Sequence, residues 1–262
     1  MLKSGWAHLF LLFIFSLFSI IETAWQDENG MENGEIDMVF FNLPHGEATL
    51  ITNYYGDNIL INTGSEKSEK SLNEQLKQMG ITEIDQVIIS NEEEAYSGNL
   101  QNVITKYHVN KAILPESFEM EQNQSVKIEK WQSDKVYTLF DHLMVQNIDI
   151  SKDDEISFML HYGEESVLFL NDGNISIEPK LIDQHRQVDI LKIAEFGSGE
   201  SPSQRLLKQI NPIISIIFHS NKHEINEDLI ERLNASWIDI YFLKQSGTVY
   251  VRMSQSDYEL LS

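Results

Sequence analysis

The sequence contains no cysteine, which rules out a disulfide framework, a cysteine-ligated zinc site and a thiol nucleophile. Cations are scarce as well: 19 Lys and Arg stand against 41 Asp and Glu, a formal charge of −22. Binding to duplex nucleic acid or to an anionic membrane surface needs clustered cations that neutralise phosphates, so direct duplex binding is not expected. From Glu35 onward no repeat, low-complexity tract or long Pro/Gly linker divides the chain. A hydrophobic content of 42% with 10% aromatics is enough for a real core, and one layered α/β domain of this size is ordinary.

What is present begins with an apolar run. Leu9 to Ile21 carries no charge, with Lys3 before it and Glu22 after it. The run is short for a comfortable transmembrane helix, which favours a secretory signal, whereas Glu22 stands where a cleavage site ending at Ala24 wants a small neutral residue. Residues 1–25 therefore read as a signal peptide or an N-terminal membrane anchor. On either reading the working part lies outside the cytoplasm, secreted or anchored to the outer face of the cytoplasmic membrane, and touches the membrane only through residues 1–25. Residues 26–34 form a polar tether and 35–262 the folded domain.

Strands rich in Val, Ile, Phe and Thr are expected at Ile36 to Asn42, Ala48 to Asn53 and Asn58 to Asn62, with turns at Gly46 and at Tyr55 to Asn58. Leu72, Leu76 and Met79 fall at helical spacing before Gly80, so Glu66 to Met79 reads as an amphipathic helix. Then come a strand at Ile84 to Ser90, a helix at Gly98 to Tyr107 and a strand at Lys111 to Leu114. The middle is mostly β: Val136 to Phe140, Leu143 to Ile148, Ile156 to Tyr162 and Val167 to Leu170. A strand at Ile190 to Ala194 precedes a helix opened by Ser201 and Pro202 and running through Ile210. After a strand at Ile213 to Phe218, Asn226 caps a helix to Leu233, and Trp237 to Leu243 with Thr248 to Met253 form a hairpin around Gly247. Meander, αβ units, meander, αβ units points to an α/β fold, a four-layer αββα sandwich.

Several stretches in that order resemble the metallo-β-lactamase superfamily, in particular the hydrolase-like domain of ComEC-type (late competence, DNA-uptake) proteins. "FFNLPHGEATLI" (Phe40 to Ile51) resembles FLDVGQGDSILI, and "LINTGS" (Leu60 to Ser65) resembles LIDGG. "QMGITEIDQVIIS" (Gln78 to Ser90) resembles LGIKKIDLLILT, "SVLFLNDG" (Ser166 to Gly173) resembles SFLLTGD, and the stretch from Ile190 to Ile217 resembles a segment built on LKVGHHGS. The resemblance covers almost all of Ile36 to Ser254.

That family's chemistry uses HxHxDH to hold two divalent metals whose bridging hydroxide attacks the substrate. Carried over residue by residue, the four motif positions fall on Asn91, Glu93, Ala95 and Tyr96. The later His falls on Asp149, the bridging Asp on Asp172, the first His of HHGS on Glu195, and the last His at His223 or Glu224. Of these, Asp172 keeps the family's residue, and the last position does so if it falls on His223. The resemblance thus implies the fold with a degenerate site, and a dinuclear zinc centre is not expected. Glu93, Asp149, Asp172 and Glu195 would converge on an oxygen-rich site, a donor set suited to Ca²⁺, Mg²⁺ or Mn²⁺. Crowded carboxylates without a cation would raise one another's pKa.

Other candidates have plainer roles. His45 sits in a tight turn before Gly46, while His219 and His223 follow a strand and read as loop residues. Gly197 and Ser198 could present backbone N–H groups to an anion, but Ser198 has no His-Asp partner identifiable in the sequence. The leading expectation is a pseudoenzyme that binds a protein or small ligand at the cell surface, as an accessory of DNA uptake or another surface process. The alternative is a metal-dependent, phosphodiesterase-like hydrolase centred on Asp172. A third reading is a structural interaction protein whose functional face is an apolar surface patch.

Overall fold

The computed structural model describes residues 30–120, 126–151, 154–183 and 187–261. Residues 1–25 and the first part of the tether lie outside the described residues. No helix among the described residues is long and apolar enough to cross a membrane.

Two β-sheets face each other. The first has eight strands in the order β15-β14-β1-β2-β3-β4-β5-β6. These are β1 (Ile36–Phe40), β2 (Thr49–Asn53), β3 (Asn58–Ile61), β4 (Gln86–Ile88), β5 (Lys111–Ile113), β6 (Lys127–Glu129), β14 (Val249–Met253) and β15 (Tyr258–Leu261). The second runs β13-β12-β11-β10-β9-β8-β7. Its strands are β7 (Val136–Phe140), β8 (Leu143–Ile150), β9 (Ile156–Tyr162), β10 (Glu165–Phe169), β11 (Ile190–Lys192), β12 (Ile214–Ile217) and β13 (Asp239–Phe242). In both sheets the meander strands pair antiparallel, while β3 to β6 and β10 to β13 pair parallel.

The helices are α1 (Glu69–Gln78), α2 (Glu94–Ser97), α3 (Leu100–Lys106), α4 (Glu178–Asp183), α5 (Gln204–Ile210), α6 (Glu227–Ala235) and α7 (Leu243–Ser246). Period-two alternation in the strands separates three apolar layers. Ile36, Met38 and Phe40 point into the core between the sheets, where the rings of Phe158 and Phe169 stack with centroids 4.9 Å apart. Val39 and Phe41 point the other way, against Leu72 and Leu76 of α1 and Val103 of α3. On the far side Leu168 and Leu191 meet Leu206 and Leu207 of α5 and Leu229 and Leu233 of α6. This is the αββα sandwich expected from the order of elements.

Two local expectations are corrected. The stretch from Trp237 to Met253 is not a hairpin: β13 belongs to the second sheet and β14 to the first, and the chain changes sheet through α7 and Gly247 (φ 80°). The cap of α5 is Ser203, whose Oγ accepts from Leu206 N, two residues later than expected; Ser201-Pro202 precedes the helix as a cis peptide. The helix expected at Gly98 to Tyr107 is α3; the short α2 precedes it, with Gly98 and Asn99 between the two. Asn226 caps α6 as expected, its Oδ1 accepting from Asp228 N at 3.1 Å.

Trp237 follows α6 at the position where glycine is usual, with φ of 59° and 94% of its surface exposed. A left-handed backbone costs an L-residue about 1–2 kcal/mol, and a ring this exposed gains little packing in return. Trp237→Gly is expected to raise stability by about 1 kcal/mol in urea unfolding; a lowered midpoint would mean that the indole supports the fold.

Candidate functional site

The parallel strands of both sheets end on the same side of the sandwich, and the turns there carry most of the positions that the resemblance assigns to metal ligands. Beyond β4, Asn91 is buried; its Oδ1 accepts from Glu93 N at 2.8 Å and its Nδ2 donates to Glu155 Oε1 at 2.7 Å. Glu93 is exposed at the start of α2. Ala95 and Tyr96 are buried in α2. Ala95 O accepts from Glu47 N, and a Cβ on Gly46 would lie 2.2 Å from that oxygen, so the turn at Gly46 (φ 94°) admits only glycine. His45 takes the turn role expected of it, its backbone N and O both bonded to Ser68 Oγ.

From the second sheet, Asp172 follows β10 and is held by Asn174 N on its Oδ1 at 2.7 Å. Glu195 and Phe196 adopt consecutive left-handed conformations (φ 46° and 58°), a strained arrangement that cores tolerate only when the surroundings fix it. Glu195 Oε1 accepts from Gly173 N at 3.2 Å, and a Cβ at Gly173 would meet the Glu195 carboxylate at 2.7 Å. The Phe196 ring lies 5.4 Å from Tyr96 and 5.1 Å from His223. Ser198 Oγ donates to Glu195 O at 2.8 Å and lies 3.3 Å from His223 Nδ1. That hydroxyl proton already has an acceptor, so the pair is not arranged as nucleophile and base.

The group that converges is Glu155, Asp172 and Glu195, with one carboxylate oxygen from each inside a mutual distance of 4.8 Å. Asp172 and Glu195 were expected there and Glu155 was not. Glu93 does not join this trio and Glu224 is exposed to solvent. Asp149 pairs with Ser157 across β8 and β9, and its side chain lies outside what is described. Burial, then Asp172 and Glu195, raise the Glu155 pKa from 4.5 to about 8 against the opposing pull of Lys192.

Behind the carboxylates lies a buried ion pair that sequence reading missed. Lys192 Nζ is 2.7 Å from Glu47 Oε1 and 2.6 Å from Asn171 Oδ1, with both charged side chains nearly sealed from solvent. Burial pushes Lys192 down and Glu47 up, and their mutual attraction opposes both shifts. The Tyr96 ring centroid is 5.7 Å from Nζ, and burial followed by the charge of Glu47 holds its hydroxyl pKa well above the usual value.

Solved structures share this layout. The crystal structure of the metallo-β-lactamase fold protein YhfI from Bacillus subtilis superposes with a TM-score of 0.61 over 81% of this chain and 98% of that one, at 11% identity. The fold is that of a metallo-β-lactamase. Igni18 of Ignicoccus hospitalis, described as a metallo hydrolase, superposes with a TM-score of 0.58 over 86% of this chain and 99% of that one, at 12% identity. Among curated proteins, Recombination protein 2 of Haemophilus influenzae is 27% identical over 182 residues, 66% of this chain. The chain spans only 23% of the length of that relative. No family model matches the chain.

Proposed function

We propose that this chain is a catalytically degenerate metallo-β-lactamase-fold protein that acts by binding at the cell surface, as an accessory of a process such as DNA uptake. The observation that carries this reading is the state of the HxHxDH positions. Ala95 has no donor atom, and Tyr96 is buried against Phe196 above an internal lysine. The converging groups are three carboxylates. That donor set does not fit an imidazole-based dinuclear zinc centre. Similarity to Recombination protein 2 supports the DNA-related setting, and the charge of −22 directs the contact to a protein or small ligand rather than the duplex. The apolar run from Leu9 to Ile21 supports a place outside the cytoplasm.

The second reading, a metal-dependent hydrolase, rests on the same trio, because three carboxylate oxygens within 4.8 Å suit a hard cation such as Mg²⁺, Mn²⁺ or Ca²⁺. Metal analysis of the full chain after incubation with Zn²⁺, Mn²⁺, Mg²⁺ and Ca²⁺, beside an Asp172→Ala variant and a phosphodiester turnover assay, separates them. The expected outcome is no stoichiometric metal and no turnover. Bound metal and turnover that both vanish in Asp172→Ala would replace the binding reading with the hydrolase.

A further inference from the structure

At the opposite end of the sandwich the sheets part around a cleft of about 620 Å³, within the size range of small-molecule sites. Its place follows from the strands. Tyr54, Tyr55 and Asp57 form the turn entering β3, whose other end leads to Asn62 and its bond to Ser90. Asp141 lies in the turn between β7 and β8, and Tyr162 closes β9, whose far end at Ile156 accepts from Asn171.

The lining narrows what fits. It contains Glu35, Asp57 and Asp141 and no lysine or arginine, which disfavours an anion. Among the described residues the one carboxylate group tight enough for a metal ion is Glu155, Asp172 and Glu195, so these three acids do not converge on a single ion. Around them stand aromatic rings. Tyr54 and Tyr55 meet edge to face at 5.5 Å, and Tyr55 is 71% exposed. Tyr162 is buried and donates its hydroxyl to Gly34 O at 2.8 Å. Burial, Glu35 and Tyr55 together raise its pKa, which fits an electronegative cleft. Asp57 is bonded to the neutral amide of Asn53 at 2.8 Å, so its charge is not cancelled there. Glu35 is less available, lying 3.8 Å from Arg252 Nε.

We propose that this cleft binds an organic cation, a guanidinium or alkylammonium group, through the rings of Tyr54 and Tyr55 and the carboxylates of Asp57 and Asp141. A planar or branched cation can stack on an aromatic ring and donate to a carboxylate at once, which a fully hydrated metal ion cannot. The cation comes either from a free amine or from a Lys or Arg side chain of a polypeptide.

The test is calorimetric titration of the full chain, kept in mild detergent at physiological salt, with agmatine and with a capped Gly-Arg-Gly peptide. Saturable one-site binding is expected, weakened about 5-fold by Tyr55→Ala and about 5-fold or more by Asp141→Asn. Both residues are exposed, so the variants keep the fold; their thermal midpoints check this. Asp172→Ala, at the other end of the molecule, should leave the affinity unchanged, which separates this site from the carboxylate trio. Tighter agmatine binding identifies a free amine as the source, and equal or tighter peptide binding identifies a side chain. Absence of saturation, parental affinity in both cleft variants, or loss in Asp172→Ala would overturn the assignment.

Discussion

Lys192→Met is expected to destabilise the protein by about 3–5 kcal/mol, because it leaves the Glu47 carboxylate buried without its counter-ion. Glu47 is 2% and Lys192 1% exposed, so neither charge can turn to water. Asn171 accepts from Lys192 through Oδ1 and donates its amide nitrogen to Ile156 O, and as a neutral amide it cannot replace a cation. A loss of this size is a large share of the roughly 5–15 kcal/mol that holds a typical domain together. Glu47→Gln strands the opposite charge and should cost a similar amount. Glu47→Gln with Lys192→Met removes both charges, and its stability should recover most of the difference, since a neutral replacement of a buried pair is often tolerated. Urea midpoints for the two single variants and the double variant form the cycle. Additive losses in the double variant would show that the two residues stabilise the fold independently.

The pair also shows where sequence reading stopped. Glu47 stands at the acidic position of the phrase resembling FLDVGQGDSILI and Lys192 at the lysine of the phrase resembling LKVGHHGS, so both were in view. What was missing was contact: 145 positions separate them along the chain, and only the stacking of one sheet on the other brings them together. The layers themselves were legible because alternation in β1 sends Met38 inward and Val39 outward whatever the partner strand is. The hairpin error has the same root. Tyr241 of β13 and Val249 of β14 both face the central core, so the apolar pattern of the two strands could not reveal that they lie in different sheets. Asp172 and Glu195, which the structure brings together, were in view by phrase, Asp172 next to Gly173 and Glu195 two residues before Gly197. Glu155 was not, because it is one acid in the run "SKDDE", and nothing local distinguishes the carboxylate that turns inward from those that face water.

Glu155 also makes the stability depend on pH. Its folded pKa of about 8 lies above the ordinary value of 4.5, so the folded state holds a proton that the unfolded state has already lost. Stability from this group is complete below the unfolded value, falls as pH rises between the two, and stays flat above about 8. A shift of that size corresponds to about 5 kcal/mol unscreened, and about 2 kcal/mol remains once solvent screening of a half-buried group is allowed for. Glu155→Gln mimics the protonated form and keeps an oxygen for the amide of Asn91. The variant should match the parent near pH 5 and exceed it by about 2 kcal/mol near pH 9. Equal pH profiles would mean that Glu155 is already ionised in the folded state. Adding Mg²⁺ or Ca²⁺ at pH 9 sharpens the comparison: a cation held by Glu155, Asp172 and Glu195 would restore the parent's stability by mass action and leave the glutamine variant behind. Under the binding reading neither protein responds, because repulsion among the three carboxylates is relieved by a proton and not by a metal.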